Sequence, residues 1–189
     1  MDLYQHFGLT GTPFGAPPDL DSFYAAPLHQ EALATLQFAA RTNKGCVVLV
    51  GDSGLGKTLI AQLATRTRLP RQSVLWIAGV GQPADVTEVA VFADGAHPGG
   101  PTPPTVGQLS DWCHGPQRPG PAPLLVIDEA DELKPHNWTD ILSLFAQEMR
   151  FGQPVNVFLL GLHQLRERLA QNELARLRRR IFRICPLRP

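Results

Sequence analysis

The sequence has no apolar run near the ~18 residues that a membrane-spanning helix needs, and no basic start followed by an apolar stretch. It therefore predicts neither a membrane span nor a signal peptide, and we expect a cytoplasmic protein. Cysteine is also scarce, since Cys46, Cys113 and Cys185 are the three in the chain and are widely spaced. This number and spacing predict neither a disulfide framework nor a zinc site. We expect reduced thiols, two of them packed in strands.

Net charge is zero for the chain as a whole but not along its length. The 189 residues include 17 basic and 17 acidic side chains, and the 43% hydrophobic content is typical of a globular protein. This length suits one α/β domain. The segment from Arg166 to Pro189, however, contains eight arginines and only two acidic residues, Glu167 and Glu173. This basic end requires its own explanation.

A phosphate-binding loop is the clearest pattern. The apolar run from Cys46 to Val50 predicts a buried strand, and the amphipathic stretch after Thr58 predicts a helix. Between them the sequence fits G-x-x-x-x-G-K-[ST], in which backbone N–H groups surround phosphate oxygens at a helix start. The predicted nucleotide-binding residues are Gly51, Asp52, Ser53, Gly54, Leu55, Gly56, Lys57, Thr58 and Leu59.

Two pairs of residues predict the chemistry of a nucleoside triphosphatase. Lys57 would reach the β- and γ-phosphates of ATP, and the Thr58 hydroxyl would bind Mg²⁺. A second apolar run ends at Asp128 and Glu129, of which Asp128 would share the Mg²⁺ through water and Glu129 would polarise the attacking water. Adjacent carboxylates repel each other without a cation, which favours a metal site. Alternatively, this pair caps the following helix.

Alternating strands and helices predict an α/β fold, with a parallel sheet covered on both faces. We expect an N-terminal arm over residues 1–27 and a nucleotide-binding core over 28–189, with a Gly/Pro-rich loop at about 95–123 that holds fourteen Gly or Pro in 29 residues. A short helix is expected within Pro83 to Ala93. The predicted strands are 46–50, 73–78, 124–127, 155–161 and 181–185, and the longer helices are 28–40, 59–64, 136–150 and 164–180.

Several ordered blocks resemble one family. They are Tyr4 to Leu9, Pro13-Phe14, Leu28 to Leu33, the phosphate loop, Val126 to Ala130 and Leu165 to Ala170. The chain is similar to the ExeA-type AAA+ ATPases, the general secretion pathway protein A group, which is close to the TniB-type ATPases that assist DNA transposition. The resemblance implies a P-loop NTPase three-layer αβα sandwich, with an AAA+ core and a parallel five-stranded sheet of order 5-1-4-3-2. It also implies ATP at a subunit interface, with the arm around Phe7 to Phe14 near the adenine.

The arginines before the last predicted strand have three possible uses. One of them would reach the γ-phosphate of a neighbouring subunit's ATP as an arginine finger, or they form a solvated face, or they bind nucleic acid. The resemblance suggests Arg180 as the finger, with Arg179 as the second choice. The family pattern Gly-Gln-Pro-Glu-Leu is replaced here by the segment from Gly161 to Leu165. His163 and Gln164 are therefore the two candidates for the residue that senses the γ-phosphate. His163 is equally explained as a surface residue. No segment after the fifth predicted strand matches the helical lid of the family, so we expect this core to lack it.

The expected activity is ATP hydrolysis, weak without oligomerisation or a partner protein, coupled to conformational change in a secretion-type assembly. ATP and Mg²⁺ are the expected ligands, with Glu129, Lys57 and Arg180 as catalytic residues and Thr58 and Asp128 as metal ligands. One alternative is a DNA-associated transposition helper that binds nucleic acid through Arg166 to Arg188. Another is a nucleotide-binding module with little turnover.

Overall fold

The computed structural model describes residues 20, 23–67, 72, 74–78, 88–92, 121–152 and 154–188. For residues 78, 88–92 and 149–151 it describes the backbone alone. Most of the predicted N-terminal arm, most of the predicted Gly/Pro-rich loop and Cys113 therefore lie outside the described residues.

The elements follow the predicted alternation with small changes at their ends. The helices are α1 (Pro27–Thr42), α2 (Lys57–Arg66), α3 (Pro135–Phe151), α4 (His163–Ala170) and α5 (Ala175–Arg178). The strands are β1 (Cys46–Val50), β2 (Val74–Ala78), β3 (Glu88–Phe92), β4 (Leu124–Ile127), β5 (Asn156–Gly161) and β6 (Ile181–Pro186). Two 3-10 turns, Ala130–Glu132 and Asn172–Leu174, precede α3 and α5.

One sheet contains all six of these strands, in the order β3-β2-β4-β5-β1-β6. The strands β2, β4, β5, β1 and β6 are parallel neighbours, which confirms the predicted five-stranded order when it is read from the opposite edge. The expected short helix within Pro83 to Ala93 is wrong, because residues 88–92 pair antiparallel with β2. Two valines in five residues favour a strand, and the open edge of β2 supplies its hydrogen-bonding partner.

Helices cover both faces of the sheet. On one face, α1 and α2 pack on Val47 and Leu49 of β1; on the other, α3 and α4 pack on Val48 and Val50. Strands β1, β4 and β5 are buried along their whole length, which explains why they are almost continuously apolar. The predicted three-layer sandwich is confirmed.

Two of the cysteines lie in strands, as predicted. Cys46 of β1 and Cys185 of β6 are buried and form no disulfide. Burial raises the pKa of both thiols. None of the helices in the described part of the chain combines the length and hydropathy that crossing a membrane requires.

Candidate functional site

The phosphate loop joins the carboxyl end of β1 to the start of α2. Gly54 and Gly56 have φ of +79° and +76°, a left-handed conformation that glycine adopts without strain. A Cβ on Gly51 would lie 3.0 Å from Leu187 Cβ, so a larger residue there would require the chain after β6 to shift. The first helical bond of α2 runs from Ile60 N–H to Gly56 O. The N–H groups of the three preceding residues therefore have no helical partner.

Lys57 is folded back over this loop. Its Nζ donates hydrogen bonds to Gly51 O at 2.9 Å and Asp52 O at 2.8 Å. The ammonium therefore stands beside the start of α2, where the helix dipole also favours an anion. The loop presents a positive charge and free backbone donors on the same side, as a phosphate requires.

Thr58 and Asp128 meet although they are 70 residues apart. The Thr58 hydroxyl donates to Asp128 Oδ2 at 2.7 Å, while the other carboxylate oxygen, Oδ1, accepts from Glu129 N–H at 3.0 Å. Asp128 is held in turn by its own N–H, which donates to Ile77 O at 2.8 Å. Mg²⁺ prefers oxygen ligands and usually keeps several waters. The Thr58 hydroxyl as a ligand, with the Asp128 carboxylate beside it to accept from a bound water, fits that preference.

The end of β5 lies between these two parts of the site. Val50 pairs with Gly161, and Gly51 N–H donates to Gly161 O at 3.2 Å. A Cβ on Gly161 would lie only 2.5 Å from Asp131 Oδ1, and this same oxygen accepts from Leu162 N–H at 2.9 Å. Asp131 therefore occupies the space that a side chain at position 161 would need.

A pocket of about 490 Å³ opens over the ends of these strands, a volume that suits a small-molecule ligand. Its lining combines one lysine with four carboxylates. Because such carboxylates repel one another, the pocket favours a ligand that brings cations together with its phosphates. The lining residues are Ser53, Gly54, Gly56, Lys57, Thr58, Leu59, Asp128, Glu129, Asp131, Glu132, Gly161 and Leu162.

The backbone at Glu129 adopts a conformation that is uncommon outside glycine. Its φ is +53°, and such residues are concentrated at functional sites. The 3-10 turn that follows has no side-chain cap, so the alternative explanation of Asp128 and Glu129 as a capping pair has no support from the geometry. The structure brings Lys57, Thr58, Asp128 and Glu129 to one pocket. Among the described residues, no three His, Cys, Asp or Glu side chains are grouped to hold a metal by themselves.

Arg180 lies away from this pocket. Its carbonyl accepts from Cys46 N–H at 3.0 Å, at the amino end of β1, and the five residues of that strand separate it from the phosphate loop by about 17 Å. Its guanidinium pairs with Glu148 at 3.3 Å and stands 5.9 Å from the Phe145 ring centroid. Arg179, beside it, is exposed. Neither arginine belongs to the pocket of its own chain.

The remaining arginines of the basic end serve different purposes. Arg178 Nη1 donates to the carbonyls of Leu169 and Gln171 at 3.2 and 2.9 Å and also to that of Ala170, so it satisfies the end of α4. Arg183 of β6 pairs with Glu31 of α1. Part of the basic end is therefore structural.

The two candidates for the γ-phosphate sensor lie at the start of α4 and are exposed. His163 Nε2 is 3.6 Å from Asp52 Oδ1, and both side chains are more than half exposed. Leu162, not His163 or Gln164, lines the pocket. The histidine therefore touches the phosphate loop from outside.

Sequence reasoning missed several residues that the fold brings to the site. Asp131 and Glu132 line the pocket, and the acidic run that begins at Asp128 was the signal for them. Gly161 was visible as a glycine ending a strand. His29 of α1 also contacts the phosphate loop, because its Nε2 lies 3.0 Å from Leu55 O, and nothing local in the sequence indicates that contact.

The profile of a family described as "AAA domain" matches residues 40–169, more than half of the chain. General secretion pathway protein A of Aeromonas hydrophila is 39% identical over an alignment of 70 residues, and the match covers 34% of this chain and 13% of that protein. The predicted resemblance to this group is confirmed over that stretch, whereas the relation to TniB-type proteins stays a prediction.

Two solved structures of NtrX from Brucella abortus share the fold. The complex with ADP has a TM-score of 0.56 at 15% identity and covers 89% of this chain and 38% of that one. The complex with ATP has a TM-score of 0.51 at 13% identity and covers 97% and 41%. This chain thus spans about two fifths of the length of these structural relatives.

Proposed function

Since the chain belongs to the AAA domain family, we propose that it binds ATP with Mg²⁺ and hydrolyses it to ADP and phosphate. The 2.7 Å hydrogen bond between Thr58 Oγ1 and Asp128 Oδ2 carries the proposal. It joins the phosphate loop to the acidic end of β4 across β5. A purely structural Gly-rich turn would have no reason to make that connection.

Each polar residue of the pocket then has a role. Lys57 exchanges two neutral carbonyl acceptors for the charged oxygens of the β- and γ-phosphates, which makes stronger hydrogen bonds. Thr58 and Asp128 hold Mg²⁺, which neutralises phosphate charge when bound. Glu129 lies on the pocket wall and orients the attacking water.

The pocket is completed by a second subunit or a partner protein. Arg180 lies at the amino end of the sheet, next to Cys46, whereas the nucleotide occupies the carboxyl end. It acts as a finger on the ATP of a neighbouring copy after leaving Glu148, and Arg179 is the second choice. Hydrolysis by an isolated chain is accordingly weak.

ATP turnover drives conformational change in a larger assembly. The similarity to General secretion pathway protein A supports a machine of the secretion type, and ATP supply favours the cytoplasm as its location. That similarity covers 34% of the chain, so it supports the kind of machine but not its individual components.

The test is steady-state phosphate release with the parent protein and Glu129→Gln. We expect the variant to bind Mg-ATP with parental affinity and to lose turnover by about 10²–10⁴-fold, the usual contribution of a positioned acid or base. Glu132→Gln is the matched control, because it neutralises another carboxylate of the same pocket. Equal turnover by Glu129→Gln and the parent would remove Glu129 from the mechanism.

Protein concentration separates an ATPase from a module that merely binds nucleotide. If a neighbouring copy supplies Arg180, specific activity rises as the protein is concentrated. A parent protein that binds Mg-ATP and releases no phosphate at any concentration is the binding module with little turnover.

A second candidate function is nucleic-acid binding, and one surface observation favours it. Phe38 and Phe182 are 49% and 44% exposed, with ring centroids 5.9 Å apart. Lys44 Nζ lies 5.8 and 5.9 Å from the two centroids. This aromatic–basic cluster of three residues combines base-stacking surfaces with a phosphate-binding charge. It lies beside the amino end of β1, near the exposed Arg179.

DNA binding is tested by anisotropy with single-stranded and duplex probes at increasing salt. Binding that depends on the cluster weakens steeply with salt, and Phe182→Ala weakens it about 5- to 150-fold. Tyr24→Ala is the control, since Tyr24 is an aromatic residue that is 86% exposed outside the cluster. No binding to either probe at low salt would reject this candidate.

A further inference from the structure

The first turn of α1 contains a histidine that contacts the phosphate loop. His29 Nε2 lies 3.0 Å from Leu55 O. A carbonyl oxygen only accepts, so Nε2 carries the proton and donates it. His29 Nδ1 is buried and has no hydrogen-bond partner among the described residues. The bond to Leu55 is thus the ring's single hydrogen bond within that part of the chain.

The Leu55 carbonyl and the Gly56 N–H belong to one planar trans peptide group and point in opposite directions. A donor that holds the carbonyl toward α1 therefore turns the Gly56 N–H away from α1. Gly56 lines the pocket together with Lys57 and Thr58. The orientation of this peptide group matters because Gly56, with φ of +76°, has a freedom that other residues lack.

We infer that His29 is a positioning residue for nucleotide binding: its Nε2–H fixes the Leu55 carbonyl and so directs the Gly56 N–H toward the bound phosphate. The inference rests on the proposed nucleotide site and adds a residue to it.

The test compares His29→Ala, His29→Gln and His136→Ala by titration with Mg-ATP and Mg-ADP. His29→Ala should raise both dissociation constants about tenfold or more, because a hydrogen bond to a charged phosphate becomes misdirected. His29→Gln keeps an amide donor and should recover most of the affinity. His136→Ala is the matched control, since His136 is an exposed histidine in the first turn of α3.

A kinetic split distinguishes positioning from catalysis. The Gly56 N–H binds ground state and transition state alike, so His29→Ala should raise KM with kcat unchanged. Unchanged affinity in His29→Ala, or an equal loss in His29→Gln and His29→Ala, would overturn the inference.

A readout without nucleotide separates this inference from the proposed function. If the parent protein binds neither Mg-ATP nor Mg-ADP, the proposed function fails. The Gly56 amide resonance of the nucleotide-free protein then still reports the peptide orientation. We expect it to shift in His29→Ala and to stay in His136→Ala, and an unshifted resonance in both would overturn the role of His29.

Discussion

The two ends of the parallel sheet differ in how they use their polar groups. At the carboxyl end, Asp128 and the bare backbone of Gly161 border an open pocket of about 490 Å³. At the amino end, the buried amides of Gln72 and Asn156 both donate to the carbonyl of Ala40, at 3.1 and 3.3 Å. The two amide nitrogens at the amino end thus donate within the fold, whereas the carboxylates at the carboxyl end line an open pocket.

The carboxyl end of the sheet is therefore the candidate binding site, and the polar contacts at the amino end stabilise the fold. Buried polar groups are normally satisfied within a protein, so a convergent set that faces an opening indicates a binding site. Ligands of open α/β sheets bind beyond the carboxyl ends of the strands. The amino end contributes surface charge instead, through Arg179, Arg180 and Lys44. An acidic pocket at one end and cations at the other suit a head-to-tail contact between copies.

Arg180→Ala tests whether the amino end of the sheet contributes to turnover, and it has the largest expected effect. We expect turnover to fall about 10³-fold, the lower range for an arginine finger, while the affinity of the chain for Mg-ATP stays unchanged because Arg180 lies at the other end of its own sheet. Phosphate release and nucleotide titration measure the two effects. Arg179→Ala is the control, and a loss of turnover in Arg179→Ala alone would move the finger to that position.

Lys57→Ala tests the carboxyl end directly. Saturating Mg-ATP at about 100 times its dissociation constant should stabilise the parent by about 2.7 kcal/mol, or roughly 5 to 10 °C in the melting midpoint. The variant should lose this stabilisation, because Lys57 is the one lysine among the described residues that line the pocket. A thermal melt with and without nucleotide measures it, and an undiminished shift would contradict the assigned site.

The residues of the phosphate loop and the acidic pair could be predicted because their signals are local. A parallel strand buried on both faces is an apolar run, and the glycines between β1 and α2 mark backbone conformations that few other residues adopt. The order of the five parallel strands was predicted through the family resemblance. Asp128 and Glu129 stood out because they end a predicted buried strand downstream of a phosphate loop, where a nucleoside triphosphatase holds its magnesium.

The contacts that sequence reasoning missed join residues far apart in the chain. His29 and Leu55 are 26 residues apart, and no periodicity relates them. Strand β3 was missed although its two valines favour a strand, because the strand that it pairs with, β2, lies outside the segment itself. The contact between the Phe38 and Phe182 rings depends on the packing of α1 beside β6. Such contacts appear only once the layers are assembled.

Gly161→Ala tests how tightly the end of β5 is packed between the phosphate loop and the acidic end of β4. The added Cβ would lie 2.5 Å from Asp131 Oδ1 and 2.9 Å from Leu165 Cδ2, so we expect a loss of about 1–3 kcal/mol from the free energy of unfolding. Chemical denaturation measures it. Adding Asp131→Ala should recover part of the loss by removing the closer contact. Parental stability in Gly161→Ala would show that the end of β5 yields easily.

The smallest expected effect concerns Cys46, at the closed amino end. Burial raises the pKa of its thiol above the ordinary value of 9.0. Because the unfolded thiol ionises first, folding stability is full below pH 9 and falls as the pH rises above it, by at most about 1.4 kcal/mol per pH unit. Cys46→Ala should flatten this alkaline loss, measured by denaturation between pH 8 and 10, whatever its constant cost in packing. If the free energy of unfolding falls with pH at the same slope in parent and variant, the Cys46 thiolate is not destabilised by burial at the amino end.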